Sequence, residues 1–126
     1  MAQKIMNTMQ TIVMDGNLQM AEALASFNAA ALAATAALPA ALAKCKTKSQ
    51  MQKIIADRDI CQLAYINSLN KSLIQTGPLF EQIANDLQCA AKEIAKKSKK
   101  LTSAADAVSL LSEAAKLSSS LALAFA

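Results

Sequence analysis

Residues 77–111 read GPLFEQIANDLQCAAKEIAKKSKKLTSAADAVSLL. Apolar side chains recur along this stretch at alternating steps of four and three residues, the spacing of one face of a helix. The pattern begins directly after Gly77-Pro78, where glycine suits the end of one helix and proline suits the first turn of the next. The stretch therefore predicts a helix that begins at Pro78 and buries one side.

The same apolar phase continues to Phe125. Ser103 with Asp106 three residues later could cap the start of a new helix, but the phase runs through this point, so the pattern favours one helix over 78–125. At 1.5 Å per residue, such a helix would be roughly 70 Å long. The residues expected to form its intramolecular seam are Phe80, Ile83, Leu87, Ile94, Leu101, Val108 and Leu111.

Upstream, the same alternation of four- and three-residue steps between apolar positions starts at Met20. In the middle of residues 18–76 polar residues occupy several of these positions, but the spacing stays in register. This segment predicts a second long helix that is kinked or interrupted near Pro39 and near 44–50, because proline removes an amide and crowds the preceding turn. Ile5, Met9 and Ile12 predict a short helix over 2–14. The sequence thus predicts an all-α fold: a long antiparallel hairpin of the coiled-coil type (18–76 and 78–125) plus a short N-terminal helix.

The composition is typical of a helical protein and excludes most kinds of catalytic site. The 126 residues suit a single all-helical domain or assembly subunit over 1–126; 54% are hydrophobic and 3% aromatic, and histidine is absent, so the commonest general base and metal ligand are missing. Cys45, Cys61 and Cys89 form no CxxC pair. We therefore expect no enzyme, no catalytic residue, no metal site and no cofactor.

The charge balance does not favour nucleic acid as a partner. The formal net charge is +4, and only Arg58 among the 13 basic residues has a planar guanidinium group for phosphate or guanine. With one tyrosine and three phenylalanines, the chain has few rings on which bases could stack.

Residues 23–43 carry no charge and include twelve alanines. Small side chains on all faces allow several helices to approach closely. The chain also ends in LALAFA, and a bare apolar end is expected to be covered by another chain. The residues predicted to form an oligomer or partner surface are Ala30, Ala31, Ala33, Ala34, Ala37, Leu121, Leu123 and Phe125.

These features support three hypotheses about function. The first is a non-enzymatic structural or interaction protein that self-assembles into a homo-oligomer or filament, or binds a helical protein partner. The second is a membrane-active or membrane-inserting protein, a pore-former or a hairpin, that uses 23–43, whose length matches a membrane span. The third is a compact helical-bundle adaptor or chaperone with turns near 46–49 and 101–103.

The N-terminal residues have no continuous apolar core of the kind found in a conventional signal peptide. We therefore expect a protein that is cytoplasmic or exported without a cleaved signal.

Overall fold

The computed structural model describes Ile12 and residues 14–126. Its regular structure consists of four helices: α1 (Met20–Lys44), α2 (Lys48–Ser68), α3 (Pro78–Lys97) and α4 (Ala104–Ala122). The predicted all-α class is confirmed. The helix predicted over 2–14 falls outside the described residues except for Ile12 and Met14, which are not helical.

Local capping signals set where the helices begin. The Thr47 hydroxyl accepts a hydrogen bond from the Gln50 amide at 3.1 Å, and the Gln50 side chain accepts one from the Lys46 amide at 2.8 Å. At the start of α4, the Ser103 hydroxyl accepts from the Asp106 amide at 3.1 Å. These bonds satisfy amides that have no partner inside the helix, so each cap fixes a helix start.

The long hairpin is replaced by four shorter helices. The first long segment is interrupted at residues 45–47, inside the predicted region, while α1 continues through Pro39. The single helix predicted over 78–125 is wrong, because α3 ends at Lys97 and α4 begins after the Ser103 cap. The apolar phase persists across this loop because Leu101, although not helical, is buried against the core.

Hydrogen bonds near the starts of α1 and α3 show the relative direction of these two helices. The Leu18 amide donates to the Thr76 carbonyl at 2.8 Å, and the amides of Asp15 and Gly16 donate to the Glu81 carboxylate. The N-terminal ends of α1 and α3 therefore lie together, and these helices run parallel. The loops 45–47 and 98–103 lie at the opposite end of the bundle.

Residues 69–77, which connect α2 to α3 and which we call the crossing segment, pass across the end of the bundle. Helix α1 contacts the other three helices and so does α4, whereas α2 and α3 make no direct contact with each other. The four helices are thus arranged in the order α1–α2–α4–α3, with α2 and α3 at opposite corners. The crossing segment is held by the C-terminal residues: Ser72 and Ala126 exchange two backbone hydrogen bonds of 3.0 Å, and Ile74 donates to Ala124 at 2.8 Å.

Alanine allows this arrangement to be compact. The inward face of α1 consists mainly of fully buried small side chains, which bring its backbone close to three neighbours. The larger core side chains, among them Phe27, Leu87, Ile94, Leu111 and Leu121, fill the remaining space. Among the described helices, α1 has the length and apolar composition to cross a membrane, and the central helix of a bundle has the same properties.

Candidate functional site

A groove lies over the outer face of α1, between α2 and α3. It exists because α2 and α3 occupy opposite corners and do not close over the helix between them. The groove has a volume of about 650 Å³, within the range of roughly 300–1,000 Å³ typical of small-molecule sites.

The floor of the groove is a small-residue face of α1. Its members are apolar except for one asparagine, recur every three or four residues, and are all exposed or half-buried. They are Ala21, Leu24, Ala25, Asn28, Ala29, Leu32 and Ala33. The alanine-rich helix therefore has two functions: one face builds the core and another lines the groove.

The sides of the groove come from the end of α2 and the second half of α3. Tyr65 and Leu69 line one side. The residues on the other side are Gln88, Ala91, Lys92 and Ala95. None of the lining residues is acidic, and Lys92 is the one charged residue among them.

Gln88 is the unusual polar residue of this site. Its side chain is only 7% exposed, and its Nε2 has no hydrogen-bond acceptor among the described residues. A buried donor without a partner destabilises a fold by about 1–3 kcal/mol. Gln88 lines the groove, but its Nε2 has essentially no accessible surface and points away from the open space.

The groove runs towards a strongly basic end of the bundle. We call this the lysine end; it comprises eight exposed lysines at the helix ends and loops opposite the crossing segment, namely Lys44, Lys46, Lys48, Lys53, Lys96, Lys97, Lys99 and Lys100. Three acidic residues lie close to these lysines: Glu93 pairs with Lys97 at 2.9 Å, Asp57 pairs with Lys53 at 2.8 Å, and the charge of Asp106 also acts on Lys97. The Glu93 pairing lowers the pKa of that carboxyl group and raises the pKa of Lys97.

A second, smaller cavity of about 180 Å³ lies between α2 and α4. Asp57 lines it with only one carboxylate oxygen partnered, by Lys53. No group of three or more potential metal ligands exists among the described residues.

The seven predicted seam residues all lie in or against the core. Four of them, Leu87, Ile94, Leu101 and Leu111, are buried. The other three, Phe80, Ile83 and Val108, are half-buried and pack on the core.

Most of the predicted oligomer surface is inside the chain's own core, which corrects that assignment. Ala30, Ala31, Ala34, Ala37, Leu121 and Phe125 are buried, Ala33 is half-buried, and Leu123 is 73% exposed. The physical reason is that three helices of the same chain cover the inward-facing alanines of α1, and Phe125 packs against Phe27 of that helix. Only Ala33, which lines the groove, and Leu123 have surface left for a partner.

The groove was not identified from the sequence. The signal that could have indicated it is the spacing of Ala21, Ala25, Ala29 and Ala33, which places a second alanine stripe beside the inward-facing one. That spacing shows a face but not whether a neighbouring helix covers it.

The three cysteines differ in their surroundings, and we expect them to differ in reactivity. Cys61 is fully buried, and burial raises the pKa of its thiol above the ordinary value of 9.0; the Ser118 hydroxyl opposes this effect and the charge of Asp57 adds to it. Cys89 is exposed. At neutral pH a maleimide should label Cys89 quickly and Cys61 only after unfolding, because the reactive species is an accessible thiolate.

The raised pKa also predicts a loss of stability in alkali. Below the ordinary pKa of 9.0 both the folded and unfolded thiols are neutral, and Cys61 has no pH-dependent effect. Above it the unfolded thiol ionises while the folded one stays protonated, so stability falls as the pH rises towards the folded pKa. Urea midpoints at about pH 8 and about pH 10 should diverge less in Cys61→Ala than in Cys89→Ala; equal divergence would contradict this assignment.

Comparison with known proteins gives no match: no family model, no curated protein and no solved structure matches this chain.

Proposed function

We propose that this chain is a non-enzymatic interaction protein, a compact helical bundle that receives an apolar partner molecule in the groove on α1. The single observation that carries the proposal is an uncovered, mainly apolar groove of about 650 Å³ on α1.

The proposed site follows the usual composition of ligand sites. Most of its lining is apolar, with a few polar groups, Asn28, Tyr65, Gln88 and Lys92, that could orient a ligand. The rest of the fold is consistent with a binding role: α1 is fixed on its other sides by three helices, so the floor of the groove is preformed.

We expect Ala25→Trp to abolish binding of an apolar probe. Ala25 is half-buried and lines the groove, so an indole ring at this position should fill it. The measurement is titration with the neutral dye Nile red, followed by its fluorescence increase. The matched control is Ala56→Trp, because Ala56 is exposed on α2 and outside the lining.

Both variants should keep the helical circular dichroism spectrum of the wild type. Wild-type protein and Ala56→Trp should bind the dye alike, with Ala25→Trp weaker by at least about tenfold. A wild type that does not bind the dye, or an Ala25→Trp variant that binds it equally well, would remove the groove as the functional site.

A second candidate function is self-association, favoured by the outer face of α2. That face exposes Leu63 and Ile66, each more than half accessible, and further apolar residues at Met51, Ile55 and Ile60. Contiguous exposed apolar patches are typical of interaction surfaces. A wild-type chain that sediments as a monomer at micromolar concentration would exclude this candidate.

A further inference from the structure

We infer that two copies of this chain associate end to end, through the end of the bundle at which the crossing segment lies. We call this the apolar end. Its exposed large apolar side chains are Met14, Met20, Leu69, Ile74, Leu79 and Leu123. This inference is independent of the groove on α1, because it concerns a different surface and a different partner.

Backbone hydrogen bonds hold together the three segments that supply these side chains. The Ile74 amide donates to the Ala124 carbonyl at 2.8 Å, which places the crossing segment beside the C-terminal residues. The Leu18 amide donates to the Thr76 carbonyl at 2.8 Å, which places the segment before α1 beside the other side of the crossing segment. Residues that are distant in sequence therefore form one surface at this end.

This surface is more exposed and more apolar than the rest of the described chain. Six of the twelve exposed large apolar side chains lie there, and Leu79 and Leu123 are each more than two-thirds exposed. A contiguous apolar patch is typical of an interface, whereas single exposed apolar residues are not. A stable interface buries at least about 600 Å² on each partner, and six large side chains, each between a third and three-quarters exposed, supply an area of this order.

The charges at the apolar end favour a second copy as the partner. Residues 14–19, 69–77 and 121–126 contain two charged side chains, Asp15 and Lys71, and both are exposed. In a two-fold symmetric pair each surface meets its own copy, so Asp15 of one chain can face Lys71 of the other. The surface is thus compatible with itself, while an anionic membrane would find a single lysine there.

The lysine end determines the orientation of the pair. Head-to-tail contact would place the apolar end of one chain against the eight exposed lysines of the next, which offers no apolar surface in return. The 25 residues of α1 span about 37 Å at 1.5 Å per residue, so end-to-end pairing keeps the two lysine ends roughly 70 Å apart. This separation is many times the Debye length of about 8 Å at physiological ionic strength, and the repulsion between the lysine ends is therefore screened.

The experiment combines sedimentation equilibrium with small-angle X-ray scattering. Wild-type protein should dimerise at micromolar concentration and show a maximum dimension of roughly 80 Å, about twice the length of one bundle. Leu79→Lys and Leu123→Lys should each weaken dimerisation by at least about tenfold, because a symmetric dimer carries each substitution twice and would bury two ammonium groups without partners.

The matched control is Leu63→Lys, the same substitution on the outer face of α2, where Leu63 is also more than half exposed. This variant should dimerise like the wild type. All three variants should keep the wild-type circular dichroism spectrum, because each side chain is exposed in the single chain.

Three results would overturn the inference. The first is a wild type that stays monomeric throughout the micromolar range. The second is a dimer that Leu63→Lys breaks and Leu79→Lys does not, which would assign the interface to α2. The third is a monomer that floats with phosphatidylcholine vesicles and loses this binding in Leu79→Lys, which would assign the apolar end to a membrane. The Nile red titration tests the groove separately from all of these results.

Discussion

Replacing Phe27 with alanine should lower the free energy of unfolding by about 3–5 kcal/mol, a large part of the roughly 5–15 kcal/mol available to a domain. Phe27 is fully buried on α1, and its ring centroid lies 5.6 Å from that of Phe125 at an interplanar angle of 57°. In a core composed largely of alanine, few side chains are large enough to fill the space that this ring would leave. The loss should therefore be a cavity that the surrounding helices cannot close.

Urea denaturation followed by circular dichroism measures this loss, and Phe80→Ala is the matched control. Phe80 is half-buried and packs on the edge of the core, so the same substitution should cost clearly less there. Equal losses at the two positions would show that Phe27 is not at the centre of the core. A double-mutant cycle with Phe125→Ala should give a coupling of about 0.5–1.5 kcal/mol for a tilted ring pair.

The helical class and the core-facing seam of the second half of the chain could be predicted because both depend on local spacing. Leu87, Ile94 and Leu111 recur at the helical period, and all three are buried. A residue's face within a helix is fixed by its neighbours in sequence, so one chain is enough to predict it.

Continuity of the helices could not be predicted from the same spacing. Leu101 lies in the loop, yet it is buried like its helical neighbours and keeps the regular spacing of apolar residues. The spacing alone therefore does not show that the chain reverses direction there. The capping residues do indicate the helix boundaries: Thr47 with Gln50 marks the start of α2, and Ser103 with Asp106 marks the start of α4. Where capping and periodicity disagree, capping gives the better prediction of a helix boundary in this chain.

The groove depends on tertiary structure that the sequence does not carry locally. Ala29 and Ala30 are adjacent in sequence, yet Ala29 lines the groove and Ala30 is fully buried. The difference arises because α2 and α3 lie at opposite corners, which follows from the crossing segment and its bonds to the C-terminal residues. Gln88 likewise has an ordinary helical position in the sequence, and only the packed bundle makes its amide buried and unpartnered.

The carboxylate of Glu81 should be the most important polar group in the fold, because it holds the segment before α1 against α3. It is only 2% exposed; Oε2 accepts from the Asp15 amide at 3.0 Å and Oε1 from the Gly16 amide at 2.9 Å. Gly16 has a φ of 84°, a conformation that glycine adopts without strain, so the turn presents both amides together. Glu81 also lies in the first turn of α3, where the helix dipole favours a negative charge.

Glu81→Gln should therefore lower the free energy of unfolding by about 1.5–3 kcal/mol. Glutamine has one acceptor oxygen and one NH₂ group, so one backbone amide would face a second donor and stay unpartnered in a buried position. Glu93→Gln is the matched control, because Glu93 makes an ion pair at the surface, where such pairs add little. The specific readout is hydrogen exchange, measured as the increase in rate from the wild type to Glu81→Gln. This increase should be larger for the amides of Asp15 and Gly16 than for those of the α1 core. An equal increase across the bundle would contradict a local anchoring role.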